Sequence, residues 1–230
     1  MRRVLFLLAG QLVFAAAAVA MDFRVAGNQL ILSGGLTGDE LAKMRDLLPS
    51  NPQLDTVVLR DSPGGFTWTA LRLAEMIADR GLRTAASGFC MSACVLIFLG
   101  GKERHFADGK EGNRTFLAMH TPVTSGFGGQ SWPPAGTTLP AAQGEMLYWI
   151  SRRLGPRADT SLLARAVEND HPQGFMYFFD YIRNKRPDGV SVFQCKGPEK
   201  RKIADCEQLP GKNALQAGLI TSEQIVAVNP

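Results

Sequence analysis

Strand-like and helix-like segments alternate along residues 56–120, and this alternation restricts the fold more than any other feature of the sequence. Residues 56–59 form a β-branched apolar run that predicts a buried strand, and residues 82–86 predict another. Each run is followed by a turn and then by apolar residues at helical spacing, the second helix covering 92–99. Because consecutive strands joined by helices need crossover connections, the pattern predicts an α/β fold with a mostly parallel sheet.

Turn and capping residues mark the remaining elements. A short extended segment is expected at residues 29–33, and Thr37 with Glu40 matches the Thr-x-x-Glu capping box that starts a helix. Gly88 is predicted to form the turn between a strand and the helix at 92–99. A further strand is expected over Thr115–Met119. Two more helices are predicted, one beginning near Leu139 and one over residues 159–169.

Two segments are predicted to be rich in loops. Residues 125–138 contain many Gly, Pro and Ser residues, so we expect a mobile loop that could act as a lid. Residues from about 172 to 212, which include two cysteines, are predicted to form a loop-rich insertion. The length of 230 residues and the 45% hydrophobic content suit one globular domain, which we expect to span residues 21–230.

Residues 1–20 have the composition of a secretory signal peptide. Arg2 and Arg3 precede an apolar run from Val4 to Val19, and the segment closes on the small-x-small sequence Ala18-Val19-Ala20. The alternative is an uncleaved anchor, but the run is short for a membrane span and is interrupted by Gln11. Cleavage would give an exported protein, periplasmic or secreted, with no stable membrane span.

The charge balance does not suggest a nucleic-acid partner. The chain has 25 basic and 21 acidic residues and a formal charge of +4. Cleavage of the predicted signal peptide, which contains Arg2 and Arg3, would lower this excess by two. The basic run Lys200-Arg201-Lys202 is interpreted as a solvated loop because it stands alone.

The chain has four cysteines, an even number that suits disulfides in an oxidising compartment. Pairing of neighbours in sequence would join Cys90 to Cys94 and Cys195 to Cys206, whereas buried free thiols are the alternative for the first two. No histidine stands near them at zinc-ligand spacing, so no metal site and no cofactor are predicted.

Three motifs stand out, and two of them, Gly64-Gly65 and His120, fall at the predicted carboxyl ends of strands, where α/β sheets bind their ligands. Gly64 and Gly65 follow the strand at 56–59, and glycine allows backbone N–H groups to approach a substrate oxygen closely. Ser92 stands at the start of an apolar helix, whose free N–H groups suit a developing oxyanion. His120 ends the Thr115–Met119 strand. Each motif alone would be an ordinary turn, helix cap or structural histidine.

His120 has the best position for a base that activates serine, among the three histidines of the chain. His105 lies in a charged Lys-Glu-Arg-His stretch, and His171 lies between Asp170 and a proline. A histidine where an apolar strand meets a loop is held rigidly and yet remains accessible, which is what proton transfer requires.

The order and spacing of these motifs over Thr56–Pro122 resemble those of the Clp protease proteolytic subunit (ClpP) and its relatives in the crotonase-like superfamily. The resemblance implies a repeated β-β-α superhelix with a mostly parallel sheet. It also implies that Ser92 is the nucleophile, that His120 is the general base, and that the N–H groups of Gly65 and Ala93 form an oxyanion hole. Gly64 would lie against the substrate.

The same resemblance places an aspartate after the helix that follows the histidine loop. Asp170 falls at a matching interval, and the Ala217-Gly218-Leu219-Ile220 stretch resembles the end of the family's domain. Glu168 or Asp180 could orient the histidine ring instead. The cysteines on either side of Ser92 and the insertion at about 172–212 depart from the family pattern. If Cys90 and Cys94 were bridged, they would stiffen the turn that presents Ser92.

The resemblance implies a serine hydrolase, specifically a peptidase that acts on peptides or unfolded proteins. An exported protein has no access to a cytoplasmic ATP-driven unfoldase, so the activity would be independent of ATP. Ring assembly in the family makes a homo-oligomer an expectation here. Two other functions compete with this one: a non-catalytic binding or scaffolding protein of the cell envelope, and a crotonase-like enzyme acting on acyl-CoA thioesters.

Overall fold

A computed structural model describes residues 20–120, 125–127, 130–156, 158–167, 174–197 and 203–230. The predicted signal peptide therefore lies outside the described residues except for Ala20. The strands are β1 (Asp22–Ala26), β2 (Gln29–Ser33), β3 (Thr56–Ser62), β4 (Arg83–Met91), β5 (Arg104–Phe106), β6 (Phe116–Met119), β7 (Ser125–Phe127), β8 (Gln130–Trp132), β9 (Phe175–Phe179), β10 (Val192–Cys195) and β11 (Glu207–Gln208). The helices are α1 (Glu40–Ser50), α2 (Thr67–Asp79), α3 (Ala93–Leu99), α4 (Leu139–Leu154) and α5 (Thr160–Val167).

One large sheet organises the described part of the chain, with the strand order β1-β2-β3-β4-β6-β9-β10-β11 and with β5 also paired to β4. The strands β2, β3, β4, β5 and β6 are parallel to their neighbours within this group. Antiparallel strands extend the sheet at both sides, β1 at one and β9 to β11 at the other. The predicted α/β class with a mostly parallel central sheet is confirmed.

Strand β4 runs past Gly88, where the sequence predicted a turn, and that prediction was wrong. The first half of β4 pairs with β5 through residues 84–86, and its second half pairs with β6 through residues 89–91. Gly88 lies at the change of partner with a φ of 82°, next to a register shift against β3. A Cβ at this position would come within 2.1 Å of an oxygen of Asp61. Glycine is therefore required here for an irregularity within the strand, and it does not mark the end of the strand.

The helix predicted from a capping box begins at Glu40, later than the box implied. Glu40 is buried and reaches back, accepting hydrogen bonds from the amides of Thr37 (2.8 Å) and Gly38 (2.7 Å). The first turn therefore contains its own acceptor for these N–H groups, with Asp39 at the N-cap position.

The helices cover one face of the sheet and bury the main core against it. All seven residues of α3 are buried, which explains why its sequence is apolar on every side. On the opposite face, the C-terminal residues Val226 and Val228 pack on a small cluster that includes Ile31, Val58 and Ala85. Among the helices in the described ranges, none has the length and apolar character needed to cross a bilayer.

The segment predicted to be a loop-rich insertion, about 172–212, contributes the strands β9, β10 and β11 to the sheet. In β9, Met176 and Phe178 point into the core, whereas the alternating residues Phe175, Tyr177 and Phe179 are partly exposed on the other face. Because both faces of this strand carry large apolar side chains, the sequence lacks the alternation of polar and apolar residues that usually marks a strand. That similarity of the two faces hid the strand.

Candidate active site

Three neighbouring parallel strands end at the same edge of the sheet, and each end carries one of the motifs found in the sequence. Strand β3 ends at Ser62 before the two glycines, β4 ends at Met91 before Ser92, and β6 ends at Met119 before His120. Because β4 lies between β3 and β6 and runs parallel to both, the three loops lie side by side.

Ser92 occupies a backbone conformation that a non-glycine residue rarely adopts, with φ 54° and ψ −128°. Its amide donates to the carbonyl of Ala118 on β6 (2.9 Å), and its carbonyl accepts from the amide of Val95 (3.0 Å) in the first turn of α3. The chain thus turns sharply from strand to helix at this residue. Such a turn lifts the serine hydroxyl out of the sheet and places it at the start of the helix.

Ser92 and His120 are in direct contact. Ser92 Oγ lies 2.5 Å from His120 Nε2, and both residues are partly exposed. With the ring proton on Nδ1, Nε2 accepts the hydrogen bond and is positioned to take the hydroxyl proton. A hydroxyl paired in this way with an imidazole can act as a nucleophile, and its partial exposure leaves room for a substrate carbonyl.

The Gly64-Gly65 turn packs directly against the turn that carries the serine. A Cβ on Gly64 would lie 2.7 Å from Ala93 N and 2.9 Å from Ser92 Cβ, well inside contact distance. Gly65 packs equally closely on Leu36, whose amide donates to the carbonyl of Gly64 (2.8 Å). The absence of side chains at both glycines therefore brings the backbone of one loop against the first amide of α3.

A disulfide spans the serine turn. Cys90, the next-to-last residue of β4, is bonded to Cys94 in the first turn of α3, with their Cα atoms 5.3 Å apart. Both side chains are fully buried beneath Ser92. The second pair, Cys195 and Cys206, is bonded with Cα atoms 4.6 Å apart; we call it the C-terminal disulfide. Both bonds join the residues that are neighbours in sequence, and free thiols are excluded at these positions.

Of the carboxylates considered for a third role, Asp170 and Glu168 lie outside the described residues. Asp180 is fully buried, and its carboxylate contacts the guanidinium of Arg183 at 2.5 Å. Its amide donates to the carbonyl of Thr115 (2.9 Å), at the amino end of β6. His120 stands at the other end of that strand, about 16 Å away at the usual rise per residue. The suggestion that Asp180 orients His120 was therefore wrong.

Phe175 is a neighbour of His120 that the sequence did not indicate. It begins β9, and its ring centroid lies 4.6 Å from that of His120. Antiparallel pairing of β9 with β6 causes this contact, since Met176 stands opposite Met119. Nothing in the local sequence signals such a pairing between strands separated by two helices.

Other candidate ligands lie apart from the site. His105 is buried in β5, where its Nδ1 lies 3.1 Å from the carbonyl oxygen of Gln224. In the ranges that the structure describes, no group of three or more His, Cys, Asp or Glu side chains could hold a metal ion. The chemistry available at the described site is that of the serine and histidine and of the surrounding backbone amides.

No protein-family model and no curated protein matches the chain. Among solved structures, ClpP1 from Listeria monocytogenes is 15% identical, with 89% of this chain and 92% of that chain covered and a TM-score of 0.44. An enoyl-CoA hydratase/isomerase family member is 13% identical over 90% of this chain and 70% of that chain, with a TM-score of 0.44.

An enoyl-CoA hydratase from Mycobacterium avium subsp. paratuberculosis K-10 is 15% identical, with 44% of this chain covered and a TM-score of 0.33. The chain spans 50% of the length of that structure and 53% of the length of another enoyl-CoA hydratase-like structure. Likenesses at this level assign neither a family nor an activity to the chain.

Proposed function

We propose that the chain is a serine hydrolase in which Ser92 is the nucleophile and His120 is the general base. The observation that carries this proposal is the 2.5 Å contact between Ser92 Oγ and His120 Nε2, made by a serine with a φ of 54°. Strained residues of this kind persist where the surrounding structure holds them, and they concentrate at functional sites. Neither the contact nor the backbone conformation is needed to close an ordinary helix N-terminus.

In the proposed reaction, His120 Nε2 takes the proton from Ser92 Oγ as the oxygen forms a bond to the carbonyl carbon of the substrate. The carbonyl π electrons move to oxygen, and the amides of Gly65 and Ala93 donate hydrogen bonds to that oxyanion. When the tetrahedral intermediate collapses, the bond to the leaving group breaks and His120 returns the proton to it. Water then attacks the acyl group on Ser92, with His120 again accepting the proton.

The more specific part of the proposal is an exported peptidase that works without ATP on peptides or unfolded segments. Two buried or partly buried disulfides and the signal-like composition of residues 1–20 support an oxidising location. Asp170 is proposed to orient His120. In its support, Asp170 falls at the interval that the family resemblance implies, and it precedes by five residues Phe175, whose ring contacts that of His120.

Labelling with a fluorophosphonate tests the serine assignment directly. Mature protein starting at Met21, with both disulfides formed, is treated with the probe alongside Ser92→Ala and His120→Ala. Ser151→Ala is the matched control, because that serine lies on α4 and donates a local hydrogen bond to the carbonyl of Tyr148 (2.8 Å). We expect wild type and the control to label and both site variants to lose labelling.

Labelling of Ser92→Ala at the wild-type rate would refute the assignment of the nucleophile. A folded wild-type protein that does not label would instead favour the non-catalytic binding protein. Once labelling is established, a library of quenched peptides separates a peptidase from an esterase, since only a peptidase cleaves amides in the library.

A further inference from the structure

An uninterrupted group of aromatic side chains lies on the face of the sheet opposite the helices. Phe89 on β4, Phe116 on β6, and Phe175, Tyr177 and Phe179 on β9 are all partly exposed. The residues that alternate with them along these strands, such as Cys90, Leu117 and Phe178, are buried in the main core. We call these five residues the aromatic face.

The five rings form a continuous chain of contacts across three strands. Phe116 is the centre, with ring centroids 6.3 Å from Phe89, 5.6 Å from Tyr177 and 5.1 Å from Phe179. Tyr177 lies 5.8 Å from Phe175 along β9. Contiguous exposed apolar surface of this kind often marks a binding site.

The aromatic face is bounded by the candidate active site at one end. Phe175 contacts the ring of His120, and Met91, which precedes Ser92, stands beside Ala118 on the same strands. Away from the site, Tyr177 and Phe179 pack against a cluster that contains Phe193 and Cys206, and Cys206 is part of the C-terminal disulfide. The segment that departs from the ClpP pattern thus supplies both β9 and the wall of this surface.

The spacing of the rings indicates what kind of ligand they fit. Phe175, Tyr177 and Phe179 occupy alternate positions of one strand, and consecutive centroids are 5.8 and 6.3 Å apart. In an extended peptide, side chains on one side repeat at about 6.6 Å, so alternate side chains can each meet one ring. A helix also repeats side chains at about 6 Å, but its peptide groups are hydrogen-bonded within the helix, so an extended segment is the form that can follow this row and also present a peptide bond to Ser92.

We infer that the aromatic face binds the substrate of the site, as an extended polypeptide segment with aromatic side chains at alternate positions. This inference rests on the proposed function, since it names the substrate class of the same serine site. A segment lying along β9 would run from the C-terminal disulfide toward His120 and would present its next peptide bond to Ser92. Phe side chains at alternate positions of a segment are mostly buried in folded proteins, so the expected substrates are chiefly unfolded segments.

Binding to the Ser92→Ala protein tests the inference without turnover. Three fluorescent peptides of about ten residues are compared by anisotropy: one with Phe at alternate positions, one of the same composition with the Phe residues consecutive, and one with Ser in place of Phe. We expect the alternating peptide to bind at least about tenfold more tightly than the Ser peptide and clearly better than the consecutive one. Equal affinity for all three would overturn the inference.

The variant Tyr177→Leu removes a ring from the centre of β9 and keeps an apolar side chain there, so the sheet is expected to form. It should weaken binding of the alternating peptide about tenfold. The control is Tyr148→Leu, because Tyr148 is 64% exposed on α4, outside the aromatic face. Equal loss in both variants would contradict a specific role for the face.

Two further measurements distinguish this inference from the proposed hydrolase activity and from self-association of the chain. If fluorophosphonate labelling fails but the alternating peptide still binds, the proposed hydrolase is wrong and the peptide-binding face remains. If sedimentation shows that the wild type self-associates and that Tyr177→Leu is a monomer in the absence of peptide, the face is an interface between copies of the chain. That result would overturn the inference.

Discussion

Gly64 offers the sharpest test of how the site is assembled, because any side chain there enters the space between two loops. The variant Gly64→Ala would place a Cβ 2.5 Å from the carbonyl oxygen of Met91, 2.7 Å from Ala93 N and 2.9 Å from Ser92 Cβ. Ordinary contacts of such an atom begin at 3.4 Å, so the serine turn must move away by roughly 0.5 to 1 Å. The backbone atoms that it meets cannot rotate aside.

Two costs contribute to the expected loss of stability. The φ of Gly64 is 87°, where a residue with a Cβ is disfavoured by about 1–2 kcal/mol. Overpacking against the serine turn adds about 1–3 kcal/mol. The free energy of unfolding should therefore fall by about 2–5 kcal/mol. The effect on reactivity should be larger, because a displacement of about 1 Å in a catalytic group can cost about 100-fold in rate.

Gly136→Ala is the matched control, since Gly136 has nearly the same φ, 84°, and nothing within 4 Å of its Cβ position. It should show the conformational cost alone, with no change in the labelling rate. Urea unfolding measures the stabilities, and the rate of fluorophosphonate labelling is measured in buffer, where each variant is folded. If a stably folded Gly64→Ala protein were labelled at the wild-type rate, the close contact between the Gly64 loop and the Ser92 turn would not be needed for reactivity.

Three further predictions concern other parts of the molecule. Replacing Cys90 and Cys94 together by Ala should lower the free energy of unfolding by about 2 kcal/mol, through chain entropy, and should slow labelling. Loss of the C-terminal disulfide should lower the free energy of unfolding by about 3 kcal/mol without slowing labelling. The opposite order of labelling rates would contradict this prediction. Asp180→Asn should lower the free energy of unfolding by about 3 kcal/mol, since it leaves Arg183 without its charged partner, and labelling of the folded protein should be unchanged. The hydrogen bond from Lys212 holds the pKa of Asp159 below its ordinary value, so its contribution is present at neutral pH and is lost as the pH falls through the lowered pKa. Asp159→Asn should accordingly be less stable than wild type in urea at pH 7, and the difference should shrink as the pH falls through the lowered pKa of Asp159.

The elements that the sequence predicted well are those defined by local pattern. The strand at Gln29–Ser33, the strand beginning at Thr56 and the buried helix ending at Leu99 all appear where the apolar spacing indicated them. Local pattern does not specify partners. The extension of β4 through Gly88 follows from its having two neighbours on one side, β5 and then β6, and this arrangement is a property of the whole sheet.

The same distinction applies to the site. Ser92 could be selected from sequence because it stands at the start of an apolar helix, and His120 because it ends a strand; the structure brings the two into contact. The position of Asp180 could not be foreseen, because it depends on β9 running antiparallel to β6. That direction places the start of β9 beside His120 and its end beside Thr115, so Phe175 becomes the neighbour of the histidine and Asp180 does not.

Two non-glycine residues of the described chain, Asp61 and Ser92, have a positive φ, and their surroundings differ. Asp61 has a φ of 48°, but aspartate tolerates this region, and its carboxylate is one-third exposed (34%) beside Lys110. Serine tolerates a positive φ less well than aspartate. Ser92 is nevertheless held by a backbone hydrogen bond to β6, by a buried disulfide across its turn and by a helix that is buried on all sides. Strain of about 1–3 kcal/mol persists only under such restraint. These restraints fix the Ser92 hydroxyl beside the His120 ring, which is the arrangement that the proposed hydrolase requires.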